Sequence, residues 1–206
     1  MLLKVCGMRE RDNIKDVLAL QPQWMGFIFE PSSPRYFPRA ANPSSLFEVI
    51  GAVKKVGVFV NDDEEVMLSF QQQHALDYIQ LHGDESVETC RQLKQAGIKV
   101  IKAFRVNDMF DFSIVDSYTP YADLFLFDAS GTLFGGNGVA FNWQLLKRHR
   151  FNKPFLLSGG IGPDSVNQLL AFEHPEMIGV DVNSKFETAP GIKDAKALLL
   201  FQQQIG

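Results

Sequence analysis

The chain has 206 residues, 46% of them hydrophobic and 21% charged, with a formal net charge of −4. These values suit one globular domain that buries a full core without staples, and the scattered lysines and arginines form no basic stripe of the kind nucleic acid requires. Cys6 and Cys90 are far apart, and His74, His82, His149 and His174 are isolated from one another, so neither a disulfide framework nor a metal site is expected. No run of about 18 apolar residues offers a membrane span, and the apolar start of the chain is too short for a signal peptide. The expectation is a cytoplasmic protein with no membrane or nucleic-acid partner.

Short apolar, β-branched runs recur along the chain. They predict strands at Leu2–Cys6, Trp24–Phe29, Lys55–Val60, Tyr78–Leu81, Lys99–Ala103, Leu124–Asp128, Phe155–Ser158 and Ile178–Val182. Each gap has room for one helix and two loops. Asn61 or Asp62 is a candidate cap for the helical run through Leu76, and Asp84 or Ser86 for the run ending before Gly97. Pro163-Asp164-Ser165-Val166 reads as a helix start with proline in its first turn. Strands alternating with helices imply a parallel sheet, and eight units in about 200 residues predict an α/β fold, a single-domain (β/α)₈ TIM barrel over 1–206. An open doubly wound sheet is the alternative, but Cys6-Gly7-Met8 is not its glycine-rich first turn.

Such barrels carry their active sites at the C-terminal strand ends, where several runs here end in polar residues. Lys4 and Cys6 share one face of the first strand. Cys6 is either a buried small hydrophobe or a thiol whose pKa nearby cations lower until it serves as a base. Two prolines stiffen the loop carrying Arg35, whose fork suits carboxylates or phosphates. Gln80 and His82 share a face at the fourth strand end, either as ligand contacts or as a hydrogen-bonded pair closing the barrel top. Asp128 ends an apolar sixth strand, where an aspartate is costly unless paired, hydrated or kept protonated for use. The glycine-rich stretch from Phe134 to Phe141 reads as a flap beside a substrate, being too far from its strand for a dinucleotide fingerprint. Gly159-Gly160 after the seventh strand, and Asn183-Ser184 after the eighth, occupy the recurrent phosphate site of the fold.

Together these residues resemble the phosphoribosylanthranilate isomerase family over essentially the full length. The resemblance rests on Lys4-Val5-Cys6-Gly7, Ser33-Pro34-Arg35, Gln80-Leu81-His82-Gly83, Asp128, Gly135-Gly136-Asn137-Gly138 through Phe141-Asn142-Trp143, Ser158-Gly159-Gly160, and Glu187 with Pro190-Gly191-Ile192-Lys193-Asp194. It implies a cofactor-free Amadori rearrangement of N-(5′-phosphoribosyl)anthranilate in tryptophan biosynthesis; the sequence leaves monomer and homodimer both open. It further implies Cys6 as base, Asp128 as acid, Arg35 near the anthranilate carboxylate, and a phosphate on Gly159, Gly160, Asn183 and Ser184, with Gln80 and His82 in the site wall. The chain departs from the family in Asn183-Ser184-Lys185-Phe186, where serines, a glycine and a small apolar residue are usual, and in Gly-Asn-Gly for Gly-Ser-Gly in the flap.

Histidine-pathway isomerases carry an aspartate where this chain has Cys6. Indole-glycerol-phosphate synthases need catalytic lysine and glutamate residues, and metal-dependent epimerases need histidine ligands at strand ends. A non-catalytic phosphate-binding barrel is the alternative of another class; it would lack the acid or the base, and both are present.

Overall fold

Runs rich in Val, Ile and Phe fit a pleated sheet buried on both sides, and here they form eight parallel strands. They are β1 (Leu2–Val5), β2 (Trp24–Ile28), β3 (Lys54–Phe59), β4 (Tyr78–Leu81), β5 (Val100–Val106), β6 (Leu124–Ala129), β7 (Phe155–Leu157) and β8 (Met177–Val182). In the computed structural model, which describes residues 1–39, 43–129 and 142–206, the strands close a barrel in chain order. Closure pairs β1 with β8, Leu2 opposite Gly179 and Val5 opposite Val182.

Strand ends differ from the sequence expectation for local reasons. β5 continues past Ala103 to Val106, because Phe104, Arg105 and Val106 keep register with Phe127, Asp128 and Ala129. β7 stops at Leu157, because Gly159 and Gly160 turn left-handed at φ 84° and 70°.

The helices are α1 (Arg11–Leu18), α2 (Pro43–Leu46), α3 (Glu64–His74), α4 (Val87–Gln95), α5 (Ser113–Tyr118), α6 (Val166–Leu170) and α7 (Ala195–Ile205). Ser86 caps α4 by accepting from the Thr89 N–H. The expected cap of α3 is corrected: its N-cap is Asp63. Asn61 and Asp62 are occupied elsewhere, Asn61 Oδ1 accepting from Asp84 N at 2.7 Å and Asp62 Oδ2 from Val60 N at 3.3 Å. Pro163 opens a 3₁₀ turn, Pro163–Ser165, that leads into α6. A hairpin of β9 (Glu187–Ala189) and β10 (Ile192–Lys193) follows β8. None of the helices among the described residues is long and apolar enough to cross a membrane.

Alternation along each strand divides the core into two shells. Leu3, Val5, Phe27, Phe59, Phe125 and Phe127 face outward under the helices. Trp24, Val56, Ile101, Ala103, Leu124, Leu126 and Leu156 fill the barrel interior, with Trp24 stacked on Tyr78 at 4.7 Å between ring centroids. The interior is not apolar throughout, since Lys4, Gln80, Ser158 and Asp181 are also buried.

Candidate active site

Cys6 follows the last residue of β1, still tied to the barrel by its N–H donating to the Val182 carbonyl at 2.9 Å. It is buried beside Lys4, whose ammonium is fully buried and donates to Asp181 Oδ1 at 2.9 Å. Room for the pair comes from Gly26. A Cβ there would fall 2.7 Å from Cys6 Sγ and 3.1 Å from Lys4 Nζ. Burial raises the thiol above its ordinary value; Lys4 and, more weakly, Lys193 pull the other way, while Asp181 adds to the rise. Of the two sequence readings of Cys6, its burial matches the first, and the thiol is raised because desolvation of the thiolate outweighs the nearby cations.

Asp128 lies near the end of β6, three strands from β1 around the barrel. Its Oδ2 is 3.0 Å from His82 Nε2, and His82 Nδ1 is 2.7 Å from Gln80 Nε2. An amide nitrogen can only donate, so the neutral ring carries its proton on Nε2, facing the carboxylate. Gln80 is fully buried and its Oε1 has no hydrogen-bond partner among the described residues. His82 and Asp128 are about a quarter exposed. Gln80 and His82 form a hydrogen-bonded pair that extends to Asp128.

Arg35 sits on the turn after β2, its N–H donating to Ser33 Oγ at 3.1 Å. Its Nε and Nη2 grip Glu187 at 2.9 and 2.6 Å. The same carboxylate takes Lys193 Nζ at 2.6 Å and the Gly191 N–H at 3.1 Å. Burial opposes the Glu187 charge, but Arg35 and Lys193 together hold its carboxyl below the usual range. Burial lowers Lys193 and outweighs the attraction of Glu187, and Arg35 repels the ammonium further. Lys193 Nζ also donates to Asn183 Oδ1 at 2.6 Å.

Gly159 and Gly160 follow β7 with positive φ, a conformation that keeps side chains away and leaves backbone N–H groups approachable. Ser184 opens a 3₁₀ turn, Ser184–Phe186, directly after Asn183. Lys185 is exposed, yet its stem lies along Gly162, where a Cβ would meet the Lys185 Cβ at 3.0 Å. The flap from Phe134 to Phe141 lies outside the described residues.

Cys6, Arg35, Gln80, His82, Asp128, Gly159, Gly160, Asn183 and Ser184 thus all lie at or just beyond the C-terminal ends of strands, or on the loops that follow them. Sequence reasoning assigned no role to the Lys4–Asp181 pair, nor to Glu187 and Lys193. The signal was present for Lys4, a charged residue on the inner face two positions before Cys6. Its partner Asp181 is far along the chain, and only barrel closure brings them together.

Residues 3–204 match the family model described as N-(5′-phosphoribosyl)anthranilate isomerase. This chain belongs to that family. The N-(5′-phosphoribosyl)anthranilate isomerase of Phocaeicola vulgatus is 44% identical over 100% of this chain and 98% of its own length. Among solved members of the family, the isomerase of Thermotoga maritima superposes with a TM-score of 0.84 at 30% identity, covering 98% of this chain and 97% of that one. Another isomerase, solved with reduced 1-(o-carboxyphenylamino)-1-deoxyribulose 5-phosphate, gives 0.81 at 29% identity over 98% and 97% of the two chains.

Proposed function

We propose that the whole 1–206 barrel is the catalytic domain of an N-(5′-phosphoribosyl)anthranilate isomerase, in which Asp128 opens the sugar ring and Cys6 removes the C2′ proton. The isomerase activity in tryptophan biosynthesis follows from family membership over the full chain. The observation that carries the roles is that a carboxyl bonded to a histidine and a thiol beside a lysine end two different strands at one mouth.

Asp128 gives a proton to the furanose oxygen as the C1′–O4′ bond breaks and the anthranilate nitrogen forms an iminium. Cys6 then takes the proton from C2′, and its electron pair makes the C1′–C2′ double bond of an enolamine. Tautomerisation moves a proton from O2′ to C1′ and yields the ketone. Two hydrogens leave C2′ and O2′ and two arrive at O4′ and C1′, so the balance needs no redox partner. The iminium puts positive charge beside Cys6 and favours the thiolate at the moment it is needed, offsetting the rise that burial imposes.

The anthranilate carboxylate is proposed to meet the Arg35 guanidinium from its Nη1 side, since Nε and Nη2 hold Glu187. The backbone around Gly159 and Gly160, with Asn183 and Ser184, is proposed to take the phosphate. His82 backs Asp128, and Gln80 sets the His82 ring. A thiol base suits the reducing cytoplasm, and the protein is proposed to work there as a monomer or homodimer.

Loss of substrate anthranilate fluorescence reports turnover. Cys6→Ser and Asp128→Asn are each expected to lose about 10²–10⁴-fold in kcat; full turnover in either variant would remove that residue from the mechanism. Failure of the wild-type gene to rescue a tryptophan auxotroph lacking this step would count against the function itself.

A further inference from the structure

Lys4 and Asp181 form an ion pair in the barrel interior, with side chains 0% and 4% exposed. Burying two charges costs several kcal/mol per ion, and a well-packed apolar pair of the same volume is often as stable or more so. Other interior positions are apolar, Val56, Ile101 and Leu126 among them. Stability alone is therefore a poor reason for a lysine at this place.

Its position supplies a better one. Lys4 and Cys6 point to the same face of β1, and both line the gap left open by Gly26. The charge of the ammonium favours the thiolate form of Cys6. Asp181 Oδ1 holds the ammonium from β8, with Ser158 Oγ 3.5 Å from Asp181 Oδ2. We propose that Lys4, anchored by Asp181, is a positioning residue that stabilises the Cys6 thiolate and so makes a buried thiol usable as a base. The proposal rests on the reading of Cys6 as base.

Among the described residues, three charged groups act on the thiol. Lys4 on β1 and Lys193 on β10 favour the thiolate, and Asp181 on β8 opposes it. Arg35 and Glu187 lie one step further out, bonded to each other, with Glu187 also on Lys193. Lys4 acts on the thiol more strongly than Asp181 does. Removing Lys4 alone therefore raises the Cys6 titration most, and removing both partners raises it less.

The experiment follows the Cys6 ¹³Cβ resonance with pH in selectively labelled wild type, Lys4→Met and Lys4→Met/Asp181→Leu. Cys90, pushed up to about 12 by burial, provides a separate reference signal. The expected midpoints rise in the order wild type, double variant, Lys4→Met, with the last at least about one pH unit above the first. The alkaline rise of kcat/KM should move by the same amount while KM stays put. Should Lys4→Met fail to fold, the neutral, well-filled double variant carries the comparison with wild type.

Identical Cys6 titrations in wild type and the folded variants would overturn the proposal, even with lower turnover, because a packing role would explain the loss. The titration needs no substrate. Full activity in Cys6→Ser would sink the base assignment and still leave the titration result to be judged by itself.

Discussion

His82 touches the carboxyl proposed as the acid, and Gln80 decides which of its nitrogens does so. With Gln80 Nε2 donating to Nδ1, the ring proton is held on Nε2 against Asp128. Gln80 keeps this arrangement although its own Oε1 is buried without a partner among the described residues, a situation that ordinarily costs about 1–3 kcal/mol. His82→Asn is expected to lower kcat about 10–100-fold with little change in KM, from loss of positioned proton transfer. If the two residues work as a unit, His82→Asn adds little further loss to Asp128→Asn, a non-additivity measurable by single-turnover kinetics. A full additional loss would mean that His82 serves the substrate directly. The shared face of Gln80 and His82 was visible in their spacing. Asp128 as the third member was not, because β4 and β6 come to lie on either side of β5 only through strand pairing.

At the scale of elements, glycines decide how closely strands and ligand approach. On β2, Gly26→Ala puts a Cβ 2.7 Å from Cys6 Sγ and 3.1 Å from the Cys6 Cα. The thiol can swing aside but the backbone cannot. The expected outcome is a folded protein destabilised by about 1–3 kcal/mol with most of its activity lost, checked by urea unfolding beside the fluorescence assay. Ser86→Ala is the matching control away from the site. It removes the α4 cap bond to Thr89 N and should cost about 1 kcal/mol with kcat and KM unchanged. Sequence could propose Ser86 because an N-cap is a local signal. It could not say that Asn61 holds Asp84 instead of capping α3, because that bond joins two separate loops.

At the scale of the whole molecule, buried lysine–carboxylate contacts tie distant segments together. Lys102 Nζ on β5 donates to Glu85 Oε2 at 2.7 Å and to the Gly83 carbonyl at 2.8 Å, which pins the loop after β4. Burial pushes the Glu85 carboxyl up, but Lys102 and backbone donors bring it below its ordinary 4.5. Glu187 is likewise lowered. A depressed carboxylate contributes stability fully above its unfolded value, and that stability is lost as pH falls through the folded value. The protein should accordingly lose stability below about pH 4.5, and Glu187→Gln should flatten that part of the curve, as read from denaturant midpoints between neutrality and pH 3. An acid limb as steep in the variant as in wild type would count against the Glu187 share. Lys102→Met leaves Glu85 charged and buried, and should cost about 3–5 kcal/mol at neutral pH.

The sequence by itself determined the barrel and its polar strand ends, because both are periodic signals within single segments. A run such as Leu124 to Asp128 declares its strand, its buried faces and its terminal carboxylate without reference to any other part of the chain. Cys6 was likewise legible as a thiol at the mouth. Only the tertiary structure decided what surrounds it: Lys4 against the sulfur, Asp181 from β8, Lys193 from the hairpin, and a gap kept open by Gly26. Electrostatics falls off with distance in space and not in sequence, so the ionisation of Cys6 could be read only once the barrel had closed.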